Sequence, residues 1–362
     1  MNHSWTAARK SALVYVATPY NMGVGFVIKP WRLIVTNAHV VHDNREVVID
    51  NPHIDRQLVP VWFWDEWLDV AFLPAPEHHE PLPDLPIAAA LPKSGSPVWA
   101  IGYTAEARCH VAQGTVTAIR RHEGGINYIQ HDISLTSMFS GSPLFNAQGH
   151  LLGLNAVPFF NNAKHESFSL PTAYLIELAQ WYLPHYGQSA ARCAECRSFV
   201  LATEKTDEYC PKCQAPLRLP HEVPLYEAIG VGHTLEQLIE EIGHDVRLSR
   251  RGPNAWEVQH GSARIHINWH EPSGMISCEA YLCTLPHHNL EKLYTFLLRT
   301  NYQLEGLSFS VRNRKIILSL VLYDKYLNLA TARQLLQQLL MQADHFDNIL
   351  VERFGANWTN QP

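Results

Sequence analysis

Ten short apolar runs, separated by turn residues roughly every ten positions, occupy about the first 175 residues: LVYVA, GVGFVI, RLIVT, EVVID, VWFW, DVAFLPA, VWAIGY, GTVTAI, NYIQHD and HLLGLNAV. None is long enough for an amphipathic helix, and most are rich in the β-branched and aromatic side chains that suit a pleated surface. Strands of this number and spacing fold as an all-β sandwich or barrel, because closure removes edges that would otherwise pair with other chains. One helical stretch, PTAYLIELAQWYL at 171–183, ends the region with proline at its start.

The texture changes near residue 190. Cys193-Ala-Glu-Cys196 and Cys210-Pro-Lys-Cys213 sit in a polar, linker-like segment. From about 223 onward helical and strand patterns alternate. Thr234 to Gln237 reads as a capping box ahead of Leu235, Leu238, Ile239 and Ile242, with Gly243 as the stop. Strands WEVQ, ARIHINW and MISCEAYL follow, then a helix at 289–299 with Leu290, Leu293, Tyr294, Leu297 and Leu298 on one face. The hairpin LSFSVRNRKIILSLVLY and a last helix carrying Leu336, Leu340, Ala343, Leu350 and Phe354 complete an α+β domain with an antiparallel sheet. The expected organisation is three parts: an all-β region over 1–188, a small cysteine module over 189–222, and the α+β domain over 223–362.

Composition narrows the function. An apolar fraction of 46% with ten tryptophans implies packed cores rather than disorder. Lys plus Arg number 28 against 34 Asp plus Glu, so no global field holds nucleic acid or an anionic membrane. The N-terminal MNHSWTAARKSALVYVATPY lacks the uninterrupted apolar core of a secretory signal, and no segment reaches the length of a membrane span. Seven cysteines, four of them in Cys-x-x-Cys pairs, suit metal ligation in a reducing compartment better than a disulfide framework. These features lead to the expectation of a cytoplasmic protein.

Three segments of the first region carry chemistry together. Thr36-Asn37-Ala38-His39-Val40-Val41 ends a strand with a histidine, Leu68-Asp69-Val70-Ala71-Phe72-Leu73 opens one with an aspartate, and Phe139-Ser140-Gly141-Ser142-Pro143 offers a serine in a tight turn. The order His, Asp, Ser on an all-β scaffold is that of a chymotrypsin-like triad. With GVGFVI before TNAHVV, LDVAFL, Asp132 eight residues before Ser140, SGSPLFNAQGHLLGLNA and FSLPT before a helix, residues 14 to about 175 resemble the trypsin-like serine proteases. The closest resemblance is to their bacterial high-temperature-requirement branch.

That resemblance implies a chymotrypsin-like double β-barrel and a serine endopeptidase acting on protein or peptide substrate. His39 would be the general base, Asp69 the residue that orients it, with Asp65 the alternative acid, and Ser140 the nucleophile. Backbone N–H groups of Met138 and Ser140 would form the oxyanion hole. Met138 stands where relatives have glycine, so the peptide is expected to point the other way until substrate arrives. Phe139 stands where zymogen-forming relatives have an aspartate, and the chain begins directly at Met1, which argues against activation by N-terminal cleavage. The substrate pocket would involve uncharged Ser134 with Ser167, Phe168 and Ser169, and extended substrate would pair as an edge strand near Ser167 to Leu170.

The cysteine pairs, thirteen residues apart, resemble a zinc ribbon in which Cys193, Cys196, Cys210 and Cys213 complete a closed structural Zn²⁺ site. Redox chemistry is the alternative. Charges around the pairs balance, which disfavours nucleic acid and favours a spacer or docking module. Cys278 and Cys283, five apart on one strand, are expected on opposite faces. His78-His79 and His287-His288 read as solvated loops. The C-terminal element order resembles type III secretion chaperones and the sensory-transduction-regulator family, which implies dimerisation or binding of a protein partner. A peptide-binding adaptor that keeps the protease scaffold without turnover remains open from the sequence.

Overall fold

The structure, a computed structural model, describes residues 4–76, 82–103, 109–122, 124–156, 167–260 and 263–358, without the side chains of Ser137 and His260. His78 and His79 lie outside the described residues. The chain divides into two compact units, Met1–Tyr226 and Glu227–Pro362.

In the first unit a helix, α1 (Ser4–Lys10), precedes strands β1 (Leu13–Ala17), β2 (Met22–Ile28), β3 (Leu33–Thr36), β4 (Glu46–Asn51), β5 (Ile54–Pro60), β6 (Phe63–Asp65) and β7 (Val70–Pro74), with the single turn α2 (Ala38–Val41) after β3. Strands β8 (Pro97–Tyr103), β9 (Cys109–Arg121), β10 (Asn127–His131), β11 (Pro143–Asn146), β12 (Leu151–Ala156) and β13 (Ser167–Pro171) form a closed barrel in the order β10-β13-β12-β11-β8-β9. Helix α3 (Thr172–Tyr182) follows, starting directly after Pro171. Strands β14 (Ala190–Arg192) and β15 (Phe199–Leu201) then return to the first sheet.

The expected double barrel is therefore one closed barrel and one open sheet of nine strands, ordered β15-β14-β6-β7-β3-β2-β1-β4-β5. The sheet grows past β6 because β14 pairs with it in parallel, Ala190 opposite Phe63 and Arg192 opposite Asp65. The cysteine segment, expected as a spacer, is thus continuous with the sheet. Cys193, Cys210, Leu217 and Leu219 share a core with Val14, Trp64 and Leu73. A second core joins the open sheet to the barrel, where Phe26 and Phe72 meet Ile101, Phe145 and Leu154.

The second unit contains α4 (Gly230–Glu241), α5 (Val246–Ser249), β16 (Arg250–Gly252), β17 (Ala255–His260), β18 (Ala263–His270), β19 (Met275–Thr284), α6 (Leu290–Gln303), β20 (Leu307–Arg312), β21 (Lys315–Tyr323), α7 (Leu329–Phe354) and β22 (Asn357–Trp358). Its sheet runs β16-β17-β18-β19-β21-β20, antiparallel throughout, with β22 added to β19.

Three local expectations are corrected here. Helix α4 begins four residues before Thr234, whose hydroxyl donates to the Gly230 carbonyl inside the helix, so no capping box forms. Its end is as expected: Gly243 at φ +90 lets His244 N–H reach the Ile239 carbonyl at 3.1 Å. On α6, Leu293 and Leu297 are buried but Tyr294 and Leu298 face solvent. Finally, a bulge between Tyr281 and Cys283 inserts a residue into β19 and brings Cys278 and Cys283 into the same core.

Candidate active site and four-cysteine centre

His39 lies in the single turn α2, and Asp69 at the entry to β7, the strand that pairs with β3. Asp69 has φ +55, a left-handed conformation uncommon for a side-chain-bearing residue but tolerated by aspartate. The surroundings hold it there. Asn37 Nδ2 donates to the Asp69 carbonyl at 2.9 Å, and the His39 backbone N–H donates to Asp69 Oδ1 at 2.9 Å. The other carboxylate oxygen meets His39 Nδ1 at 2.8 Å. Asp69 is nearly buried at 8% side-chain exposure while His39 keeps 30%, so the carboxylate is shielded and the imidazole remains accessible.

The alternative acid has a different task. Asp65 is fully buried; Oδ1 accepts the N–H groups of Trp67 and Leu68 at 3.0 and 3.1 Å, and Oδ2 pairs with Arg192 at 3.2 Å. It closes the turn that presents Asp69. Glu66 in the same turn bonds His42 at 3.0 Å and pushes that imidazole above its ordinary pKa.

Ser140 is carried from the barrel to this pair by backbone contacts. Its carbonyl accepts the Val24 N–H of β2 at 2.8 Å. Gly141 follows at φ +81, and a Cβ there would sit 2.0 Å from the Val24 carbonyl and 2.5 Å from Thr36 Oγ1. Only glycine allows the turn to press this closely against the segment that leads into His39. Phe139, where the resemblance leaves no carboxylate, is buried in the barrel core with Val98, Ala100, Val116 and Leu144, and anchors the turn.

Met138 lies in a 3-10 turn, Ser137–Phe139, with Phe139 N–H bonded to the Thr136 carbonyl at 2.9 Å. A type II turn over the same four residues would need positive φ at Met138, the role glycine fills. A 3-10 turn keeps φ negative there. The two forms differ by a half-rotation of the Ser137–Met138 peptide, so the carbonyl lies where the other form would offer the Met138 N–H.

The expected pocket residues divide. Ser134 is exposed, whereas Ser167 and Ser169 are buried in the barrel wall. Ser167 Oγ donates to the Ile133 carbonyl at 2.7 Å, which brings β13 beside Ser134. The strand expected to pair with substrate, Ser167 to Leu170, is largely occupied: Phe168 and Ser169 pair with β10 on one side and β12 on the other, Ser167 with β10 and Leu170 with β12. Asp132, exposed, accepts the Thr115 N–H and hydroxyl and is held below the usual carboxylate range by them.

Sequence reading missed a buried polar chain that ends at Ser142, two residues after Ser140. His131 Nε2 meets Ser169 Oγ at 3.0 Å, Ser169 donates to Asn155 Oδ1 at 2.6 Å, and Asn155 Nδ2 donates to Ser142 Oγ at 2.9 Å. Burial lowers the His131 pKa to about 4. A histidine beside Asp132 was the only local signal.

The four cysteines come together, with one sulfur of each within 4.8 Å of the rest. Cys193 and Cys213 sulfurs are 3.6 Å apart, and Cys196 and Cys210 sulfurs 3.7 Å. Four thiolates around a tetrahedral ion at about 2.3 Å per bond stand about 3.8 Å apart, so the donor set fits a metal such as zinc. The two loops are copies of one another. Arg197 N–H bonds the Cys193 carbonyl and Gln214 N–H the Cys210 carbonyl, with φ +63 and +62 at those two residues. Hydrogen bonds from Ser198 lower the Cys196 thiol pKa, whereas Cys213, crowded by the other three sulfurs, is pushed up.

Comparison with known proteins bears on the first unit. Residues 23–154 match the sequence model of a trypsin-like peptidase domain. The mitochondrial serine protease HTRA2 of Bos taurus is 33% identical over 167 residues, 44% of this chain and 36% of that protein. A "Probable periplasmic serine endoprotease DegP-like" of Halomonas elongata is 30% identical over 167 residues, 44% of this chain and 34% of that protein. The chain thus spans roughly a third of the length of these curated relatives. Among solved structures, a serine endoprotease from Yersinia pestis aligns over 52% of this chain and 71% of its own, at 26% identity and a TM-score of 0.43.

Proposed function

We propose that the chain is a serine endopeptidase that cleaves protein substrates through an acyl-enzyme on Ser140. The observation that carries this reading is the two-point hold of His39 by Asp69, with Ser140 bonded to β2 at Val24 and Gly141 pressed against Thr36 and Asn37, which lead into His39. With Nδ1 committed to Asp69, Nε2 of His39 is the nitrogen that takes the Ser140 proton as Oγ attacks the scissile carbonyl carbon. The same proton passes to the departing amine. Water, deprotonated by His39, then hydrolyses the ester and frees Ser140. The test is casein cleavage by the wild-type chain and Ser140→Ala, each with and without candidate partners; equal cleavage by the two rules the reading out.

The 3-10 turn at Met138 supports a resting state in which the oxyanion hole is not yet assembled, to be completed when substrate or a partner turns the Ser137–Met138 peptide. The same turn supports a second reading, an adaptor that binds peptide without turnover. A fluorophosphonate probe separates the two, since an adaptor leaves Ser140 unlabelled even with its partner bound.

Zinc on the four cysteines would act as a structural ion, holding together loops whose only core is the one they share with the open sheet. The reduced thiol cluster supports a cytoplasmic location, which fractionation of tagged cells would check. Among the described residues no helix is long and apolar enough to cross a membrane. A partner or second copy would be recruited by the C-terminal unit, where Tyr294, Leu298 and Tyr302 form a solvent-facing stripe on α6, exposed by 39, 71 and 94%. Nucleic acid is the least favoured partner, and salt-insensitive, weak binding to DNA and RNA would bear that out.

A further inference from the structure

We propose that the four-cysteine centre positions the catalytic aspartate, with Arg192 as the positioning residue, so that metal state at Cys193, Cys196, Cys210 and Cys213 tunes the triad. This rests on the protease reading above and adds a control to it.

Asp69 follows the turn closed by Asp65 Oδ1, which accepts the N–H groups of Trp67 and Leu68. The other oxygen of that carboxylate is held by Arg192 Nη1 at 3.2 Å, in a pair whose side chains are 0 and 11% exposed. Arg192 immediately precedes Cys193, and its strand lies in parallel register with β6, opposite Asp65 itself. The grip is double. The guanidinium of Arg192 lies 4.6 Å from the Trp67 ring centroid and that of Arg197 4.5 Å. Arg197 directly follows Cys196, in the left-handed corner of the first cysteine loop, and its carbonyl accepts Arg192 Nε at 3.0 Å. The residues flanking the first Cys-x-x-Cys therefore clamp the turn that presents Asp69.

Cys193 and Cys210 pack into the core of the open sheet, but Cys196 is half-buried and Cys213 exposed, so the corners of the two loops keep their shape through the cross-link that a metal on the four sulfurs supplies. Without the metal, the corner at Arg197 and the alignment of Arg192 relax together. The Asp65 turn then loses its outer support, and Asp69 no longer fixes the His39 tautomer. Small displacements of an orienting group lower turnover strongly while leaving substrate binding largely intact.

The test uses the full chain, zinc-loaded, with zinc content measured after release, beside the chelated protein and the Arg192→Gln and Arg192→Lys variants. Nuclear magnetic resonance of labelled histidine follows the His39 Nδ1 proton and ring pKa, and peptide hydrolysis gives kcat and KM. The metal-loaded Arg192→Gln variant decides. It should keep its zinc, shift the His39 signals as the chelated protein does, and lose roughly 10- to 100-fold in kcat with little change in KM; Arg192→Lys should recover part of this. Wild-type His39 signals and kcat in zinc-loaded Arg192→Gln overturn the proposal, as do unchanged His39 signals in the verified metal-free chain. Failure of the protease reading looks different: no variant cleaves, yet the His39 signals still report whether Arg192 and the metal act on the site.

Discussion

On one side of the site, Asp69 meets both the backbone N–H and the ring of His39, its own carbonyl is tied to Asn37, and the turn before it is braced by Asp65 and Arg192. On the other side, the turn before Ser140 is held firmly by Phe139 in the barrel core but has the 3-10 form at Met138. On the proposed protease reading, the half that would move the proton is assembled in the free chain, whereas the half that would stabilise the oxyanion is one peptide rotation away. On that reading the oxyanion side is switched by the turn before Ser140, separately from the support that Arg192 gives the Asp69 side, since moving a proton accomplishes little when the developing oxyanion has no donors.

The largest test of the comparison removes the groups both halves serve. Ser140→Ala should lower casein hydrolysis by at least about 10⁴-fold and abolish fluorophosphonate labelling. Asp69→Asn should cost roughly 10⁴-fold in kcat while leaving stability nearly unchanged, because asparagine also accepts the left-handed backbone at φ +55. A loss of only a few fold would mean that the hold of Asp69 on His39 is not what the reaction uses, since Asp65 has both oxygens committed elsewhere. Met138→Gly acts on the other half: it should raise partner-free kcat by about 10²-fold, the worth of one oxyanion donor. If wild type and Met138→Gly turn over alike, the resting-state contrast is wrong.

Two stability measurements sharpen the picture at smaller scale. His131 binds its proton at about 4 when folded, against 6.5 for an ordinary histidine, because burial disfavours its charge. The unfolded chain therefore takes up the proton first as pH falls. Stability contributed by neutral His131 is full above pH 6.5 and declines by up to about 1.4 kcal/mol per pH unit until pH 4, a total on the order of 3 kcal/mol. Urea unfolding from pH 7 to 4.5 should show this slope, and His131→Gln should flatten it. Gly141→Ala should lower stability by about 2 kcal/mol or more through its positive φ and contact with the Val24 carbonyl; a thermal midpoint matching wild type would show that the serine turn is not pressed against β2.

Much of this was legible in the chain. His39, Asp69 and Ser140 were read from short motifs because each sits at a strand end whose apolar pattern is local. The cysteine pairs were read the same way, since a Cys-x-x-Cys loop needs few outside contacts to shape it. The two carboxylates near residue 65 were harder to tell apart. Burial behind Asp69 suggested the orienting acid, but nothing local showed that Asp65 braces the turn, for its partner Arg192 lies 127 residues away. Strand period likewise placed Cys278 and Cys283 on opposite faces, until a single inserted residue in β19 reversed one of them. Thr234 looked like a helix cap because the capping pattern lay nearby, yet packing started α4 a turn earlier.

The sequence by itself determined which chemical groups are present, their order, and the alternating patterns that make each strand, all of which depend on neighbours within a few residues. Only the tertiary structure decided that the cysteine segment joins the open sheet, that Phe168 and Ser169 of β13 are paired on both sides, and that the peptide at Met138 is turned as it is. Those outcomes depend on register, bulges and the pairing of distant strands, where a shift of one residue exchanges buried and exposed faces.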